Sequence, residues 1–142
     1  MKNLLYLFLI FLIFACSSND ERNQLFLENY DSVVWELDDS TDTGKITFMN
    51  SSKTFTIYDD VCATYTLEGT NTNPDDESEI VTMSIQEETE NSISILAQTD
   101  DGGNFLYTFT VTIDGGAYKL TQSDAENDER IFNRIYGEEV CF

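Results

Sequence analysis

The chain contains no histidine, which removes the most common general base and the most common zinc ligand together. Only 7 residues are Lys or Arg against 27 Asp and Glu, so the formal charge is -20 and a phosphate backbone would be repelled. Histidine-based triads, histidine-bearing zinc sites and nucleic-acid binding are therefore excluded. Since no motif selects a catalytic pair among so many carboxylates, the sequence predicts a protein that is not an enzyme and holds no metal or other cofactor.

Long apolar runs are also scarce, and the one at the start of the chain covers residues 4–15. These 12 residues are too few to span a bilayer, which needs about 20. The run follows Lys2 and gives way to a polar stretch, and this order is typical of a secretory signal peptide. We predict a signal peptide at residues 1–15, a flexible acidic tether at 16–23 and a single domain at 24–142.

The end of the apolar run, Ile13, Phe14 and Ala15 before Cys16, resembles a bacterial lipobox. That resemblance implies cleavage before Cys16, a diacylglycerol on its thiol and a fatty acid such as palmitate on the freed amine, which together anchor the chain in a lipid membrane. An ordinary cleaved signal or an uncleaved anchor is the alternative. The polar stretch Ser17 to Glu21 resembles the export signals of Gram-negative and Bacteroidetes lipoproteins, which implies an outer-membrane, surface-exposed location.

Cysteine is rare, and acylation of Cys16 leaves only Cys62 and Cys141. Export would place these two thiols in an oxidising compartment, where a disulfide between them is expected. The alternative is two separate thiols.

The dominant pattern in the rest of the chain is an alternation of apolar and polar residues at a period of two, which is typical of half-buried strands. It predicts eight strands. Their apolar faces are formed by Val33, Trp35 and Leu37; Ile46 and Phe48; Phe55 and Ile57; Val61, Ala63, Tyr65 and Leu67; Val81, Met83 and Ile85; Ile93, Ile95 and Ala97; Phe105, Tyr107, Phe109, Val111 and Ile113; and Tyr118 and Leu120.

Most connections between these strands are short and contain Asp, Asn or Gly, as hairpins require. Only residues 70–78, which include the single proline Pro74, form a long predicted loop. A meander of eight strands with one apolar face each predicts a closed antiparallel barrel, which also removes exposed edges. A two-sheet β-sandwich is the alternative.

The pattern changes after the eighth strand. Ser123 and Glu126 have capping-box spacing, and Gly137 follows a stretch with Ile131 and Ile135 four residues apart. We predict a short helix over residues 124–136. The alternative is a ninth strand over residues 130–136, preceded by an acidic loop.

The order of parts resembles a lipocalin, a calycin-type barrel: Trp35 in the first strand, an eight-stranded meander, a C-terminal helix and the tail cysteine Cys141. The resemblance covers about residues 30–142 and is shared with small lipoproteins of Bacteroidetes. It implies a disulfide from the tail to the fourth strand, matched by Cys62 and Cys141, and a monomeric barrel that binds a small hydrophobic ligand. Within such a barrel the candidate ligand contacts are Tyr65, Tyr107 and Phe109.

The acidic residues suggest two further hypotheses. An eight-stranded assignment divides the loop carboxylates almost evenly between the two barrel ends, which predicts a general solubility coat. Such a coat is also compatible with an acidic interaction protein that binds a basic partner, similar to small lipoproteins that inhibit lysozyme. Calcium binding is a weaker alternative at two clusters, Asp100, Asp101 and Asn104 or Asp124, Glu126 and Asp128, because neither has the spacing of a calcium loop.

Overall fold

The computed structural model describes residues 24–39, 43–59, 61–73, 76, 78–126 and 128–141. Within them the chain forms one ten-stranded antiparallel sheet that curls into a nearly closed barrel. The predicted all-β meander barrel is confirmed in this general form, since one continuous sheet replaces the two sheets of a sandwich. The predicted signal peptide, Cys16 and the tether, all within residues 1–23, lie outside the described residues.

One short helix precedes the strands, α1 (Phe26–Asn29). The strands are β1 (Val34–Leu37), β2 (Gly44–Met49), β3 (Thr54–Asp59), β4 (Val61–Thr66), β5 (Gly69–Thr72), β6 (Ile80–Glu88), β7 (Ser92–Thr99), β8 (Asn104–Asp114), β9 (Ala117–Ser123) and β10 (Glu129–Ile135). In the part of the chain that is described, no helix is long and apolar enough to cross a membrane.

Strands that follow one another in sequence are paired, with one exception, and β10 pairs with β1 to close the sheet. The exception is the seam between β4 and β5, where the described residues form no backbone ladder. Asn71 bridges this seam: its Oδ1 accepts from the Thr66 N–H at 2.6 Å and its Nδ2 donates to the Thr66 carbonyl at 3.0 Å. One side chain thus replaces the backbone ladder near the turn.

The predicted helix over residues 124–136 is wrong, because residues 129–135 form strand β10. The helix required Ile131, Phe132, Ile135 and Tyr136 on one inner face. Only Phe132 of these is fully buried, whereas Ile131 and Tyr136 are 41% and 76% exposed. As a strand, this segment pairs with both β9 and β1, so it satisfies two edges that a helix would leave open. Of the supposed capping residues, Ser123 is the last residue of β9. Glu126 lies in the β9–β10 connection, where Asp124 Oδ1 accepts from the backbone N–H of Glu126 and of Asp128.

The predicted count of eight strands is also wrong, since β10 replaces the helix and β5 covers the start of the segment, residues 70–78, that was expected to be a loop. Its sequence, Gly-Thr-Asn-Thr, has no apolar residue and therefore no hydrophobic alternation. The strand forms because it pairs with β6 in register from Gly69 opposite Met83 to Thr72 opposite Ile80.

The extra strand β5 changes which loops lie together. In the observed meander the connections β1–β2, β3–β4, β5–β6, β7–β8 and β9–β10 share one end of the barrel, which we call the mouth end. The other four connections and α1 lie at the opposite end, which we call the helix end. Every loop after β5 is therefore at the opposite end from that expected for eight strands.

The helix end is closed by the N-terminal segment. The Phe26 N–H donates to the Thr89 carbonyl at 2.7 Å, and the Leu27 N–H donates to Glu88 Oε1 at 2.9 Å. Both Phe26 and Leu27 are completely buried, and so is Trp35, whose ring lies 5.9 Å from that of Tyr30. These side chains fill the interior at this end.

The C-terminal tail returns along the outside of the barrel. Lys45 and Cys62 alternate with the inward-facing Ile46 and Ala63, so they point outward. Lys45 Nζ donates to Glu138 Oε2 at 2.6 Å, and Cys141 forms the predicted disulfide with Cys62, with 5.8 Å between their Cα atoms. The tail is thereby attached to β2 and to β4, the strand at the seam.

Candidate functional site

The interior contains a cavity of about 190 Å³ between strands β3–β4 and β6–β9. Inward-facing positions of six strands supply its wall, because side chains alternate along each strand. Seven of the lining residues are apolar or aromatic and the eighth is an amide: Phe55, Ile57, Tyr65, Met83, Ile95, Tyr107, Phe109 and Gln122. The barrel is therefore filled at the helix end and hollow toward the mouth end.

All three residues predicted as ligand contacts, Tyr65, Tyr107 and Phe109, line this cavity. Tyr65 lies opposite Phe55 in the ladder between β3 and β4, and Tyr107 lies opposite Ile95 in the ladder between β7 and β8. The structure therefore brings together residues that are 42 and 44 positions apart along the chain.

Gln122 is the lining residue that the sequence reasoning missed. The predicted eighth strand carried only Tyr118 and Leu120, but β9 continues to Ser123 and the same alternation places Gln122 inward. The unbroken period of two along β9 could have identified Gln122 as an inward-facing residue. It was overlooked because Gln122 is polar.

Toward the mouth, the cavity continues into a second space of about 210 Å³ that shares Tyr65, Met83 and Tyr107 with the first. Its wall includes Asn73 and Glu79, and Asn73 Nδ2 donates to Glu79 Oε2. The interior thus changes from an apolar wall to one that carries a carboxylate as it approaches solvent.

Tyr107 lies at the junction of these spaces and also lines a third space, of about 420 Å³, together with Asp124 and Glu126. Burial raises the pKa of the Tyr107 hydroxyl, and the negative charge of Asp124 raises it further. Because both effects favour the neutral phenol, Tyr107 presents an uncharged hydroxyl and ring to the cavity at neutral pH.

Phe105 was expected to face the interior, because it alternates with Tyr107 along the same predicted strand. This expectation is wrong. Its side chain is 49% exposed, because it lies at the mouth end of the long strand β8. Phe105 also lines the second and third spaces, so it forms an apolar part of the mouth rim.

The carboxylates are unevenly distributed, contrary to the even division expected from eight strands. Among the described residues, the connections at the helix end and the strand residues beside them carry seven: Glu28, Asp31, Glu68, Glu87, Glu88, Glu90 and Asp114. The corresponding residues at the mouth end carry eleven: Asp38, Asp39, Asp59, Asp76, Glu79, Asp100, Asp101, Asp124, Glu126, Asp128 and Glu129. The mouth is therefore an acidic pole.

The two cationic residues near the mouth end, Lys45 and Arg130, are each the second residue of a strand, and each side chain lies close to a carboxylate. Arg130 Nη1 is 3.8 Å from Asp59 Oδ2, and Lys45 Nζ is 2.6 Å from Glu138 Oε2. Their charges are thus compensated locally, and the connections around the mouth retain a negative potential.

The two clusters considered for calcium act as turn caps. Asp101 Oδ1 accepts from Thr99 Oγ1 at 2.5 Å and from the Gly103 N–H at 3.3 Å, and these hydrogen bonds lower the pKa of Asp101. Asp124 accepts two backbone N–H groups in its own turn, as described above. Within the described residues, no three His, Cys, Asp or Glu side chains are grouped to hold a metal ion.

Comparison of the chain with protein-family models, with curated proteins and with solved structures found no match.

Proposed function

We propose that the chain is an exported, lipid-anchored barrel of lipocalin-like architecture that binds a small hydrophobic ligand and catalyses no reaction. The observation that supports this function is the cavity of about 190 Å³ with a predominantly apolar wall. An engineered apolar cavity of about 150 Å³ binds benzene, so the space suits a ligand part about the size of one ring. The proposed protein is a monomer at the outer membrane, exposed at the cell surface.

A cavity-filling substitution tests ligand binding. Ile57 lines the cavity, and replacing it with Phe places extra side-chain volume where the ligand would lie. We expect the purified Cys16→Ser chain to bind toluene saturably in an NMR titration, and Ile57→Phe to weaken this binding at least about tenfold, or about 1.4 kcal/mol.

Ile131→Phe is the matched control, because Ile131 is exposed on β10 and lies outside the cavity wall. It should bind toluene like the parent, and the fluorescence of the single Trp35 should report an intact core in both variants. The hypothesis that this cavity binds the ligand is wrong if the parent does not bind toluene, or if folded Ile57→Phe binds toluene as tightly as the parent does.

The lipid anchor rests on the sequence around Cys16. Acyl chains on this residue would hold the protein in the membrane, because each buried methylene contributes about 0.8 kcal/mol. We expect Cys16→Ser to move the protein from the membrane fraction to the soluble fraction of fractionated cells, whereas Ser17→Ala leaves it membrane-bound. Unchanged membrane partition of Cys16→Ser, with processing at the same point, would contradict the anchor.

The acidic mouth favours a second candidate, an interaction protein that binds a basic partner. Attraction between such surfaces depends on long-range charge and weakens as salt screens it. Tight, salt-sensitive binding of a basic protein such as lysozyme, together with no toluene binding, would support this second function over the first.

A further inference from the structure

The cavity wall is rich in aromatic rings as well as apolar. Four of its residues are Phe55, Tyr65, Tyr107 and Phe109. The Phe55 ring centroid lies 6.2 Å from that of Tyr65 and 5.6 Å from that of Phe109, so these rings form a continuous surface. The faces of aromatic rings carry partial negative charge and attract a cation within about 6 Å. This wall can therefore pack against an alkylammonium group as well as against a hydrocarbon.

Two carboxylates line spaces that adjoin the cavity at Tyr107. Glu79 lines the space that continues outward from Tyr65, Met83 and Tyr107. Asp124 lines the neighbouring space at Tyr107. A ligand that occupies the aromatic cavity thus has carboxylates at its outward-facing end.

The electrostatic potential around the mouth is also negative. The acidic pole surrounds this opening, and the nearest cations already face the carboxylates of Asp59 and Glu138. A cleft bordered by charges of one sign raises the local concentration of ions of the opposite sign and repels ions of the same sign. An apolar ligand with a carboxylate head, such as a fatty acid, would therefore be disfavoured.

We propose that the cavity binds a small organic cation, whose apolar or quaternary ammonium part packs against the aromatic wall and whose positive charge lies toward Glu79 and Asp124. This inference rests on the proposed function, because it assigns the chemical class of the ligand for the same cavity.

Two probes of nearly equal shape test the assignment: phenyltrimethylammonium carries a positive charge, and tert-butylbenzene is its neutral isostere. We expect NMR titration of the purified Cys16→Ser chain at low salt to show at least about tenfold tighter binding of the cation. The preference should decrease at an ionic strength of about 1 M, where the screening length is about 3 Å.

Charge-removing variants locate the source of the preference. In the double variant Glu79→Gln and Asp124→Asn, each amide keeps an oxygen that can accept the existing hydrogen bonds. We expect this variant to lose most of the preference for the cation. The control, Glu68→Gln with Asp114→Asn at the helix end, removes the same charge and should retain the preference.

The results separate this inference from the proposed function. Binding of tert-butylbenzene as tight as that of the cation would overturn the organic-cation assignment and leave the hydrophobic cavity site intact. Absence of binding by both probes and by toluene would overturn both. A preference that is lost equally in the double variant and in its control would overturn the roles assigned to Glu79 and Asp124.

Discussion

Replacing Cys62 and Cys141 together with serine is expected to lower the free energy of unfolding by as much as about 4.5 kcal/mol. The two cysteines are 79 residues apart, and a crosslink over so long a loop strongly restricts the unfolded chain. In the folded protein the same bond holds the tail against β4 at the seam. Urea unfolding followed by Trp35 fluorescence measures the change, because Trp35 is the single tryptophan and is completely buried.

Glu138→Gln is the control for this experiment. It breaks the ion pair between the tail and Lys45 but leaves the covalent bond in place, and the Glu138 side chain is half exposed. A pair of this kind contributes about 0.2–1 kcal/mol. A loss for the double serine variant no larger than that for Glu138→Gln would contradict the assigned role of the disulfide.

Phe48→Ala is expected to destabilise the protein by about 3–5 kcal/mol, the usual cost of removing a buried ring. Phe48 is completely buried, and its ring centroid lies 5.2 Å from that of Phe26, 5.3 Å from that of Phe55 and 5.2 Å from that of Phe109. Phe48 therefore packs against α1, β3 and β8 together, and a cavity at this position would weaken all three ring contacts.

Phe105→Ala makes the same chemical change at a half-exposed position of the mouth. This variant should lower the free energy of unfolding by about 1 kcal/mol or less, because an exposed side chain loses few contacts when it is truncated. Thermal and urea unfolding of the two variants provide the comparison. Equal decreases in the free energy of unfolding for Phe48→Ala and Phe105→Ala would contradict the role of Phe48 in packing these three elements together.

Much of the barrel interior could be predicted from the sequence because alternation is a local property. The period of two placed Ile46, Phe48, Ile93, Ile95 and Phe109 inward, and all five are buried. It failed at the strand ends, where Val61, Ile113 and Tyr118 were expected on the same faces but are exposed. The connection between β8 and β9 agrees with the short, glycine-containing hairpins that were expected, since Gly115 and Gly116 both have the positive φ that such a turn requires. The three candidate contacts of the cavity followed from the same alternation, since they are large aromatic residues on inward faces.

Other elements could not be predicted because their reasons are not local. Strand β5 has only polar side chains and glycine, and it forms through its ladder with β6. Strand β10 was foreseen only as the alternative to a helix, because its local signals are helix-like. Its place is decided by the free edges of β1 and β9, the first of which is nearly a hundred residues away in sequence. Helix α1 is four residues long and depends on hydrogen bonds to the β6–β7 connection.

The sequence by itself determined a chain made mainly of strands, most of the residues that face inward and an acidic surface, because each of these follows from composition or short-range pattern. It also predicted the pairing of Cys62 with Cys141, from the number of cysteines and the expected oxidising compartment. The tertiary structure decided the number of strands, the end of the barrel at which each loop lies, and whether the interior is filled. An acidic pole at the open end follows from these, because a single strand without hydrophobic alternation, β5, reverses the end of every later loop. Packing of α1 against one end decides that the cavity lies toward the other.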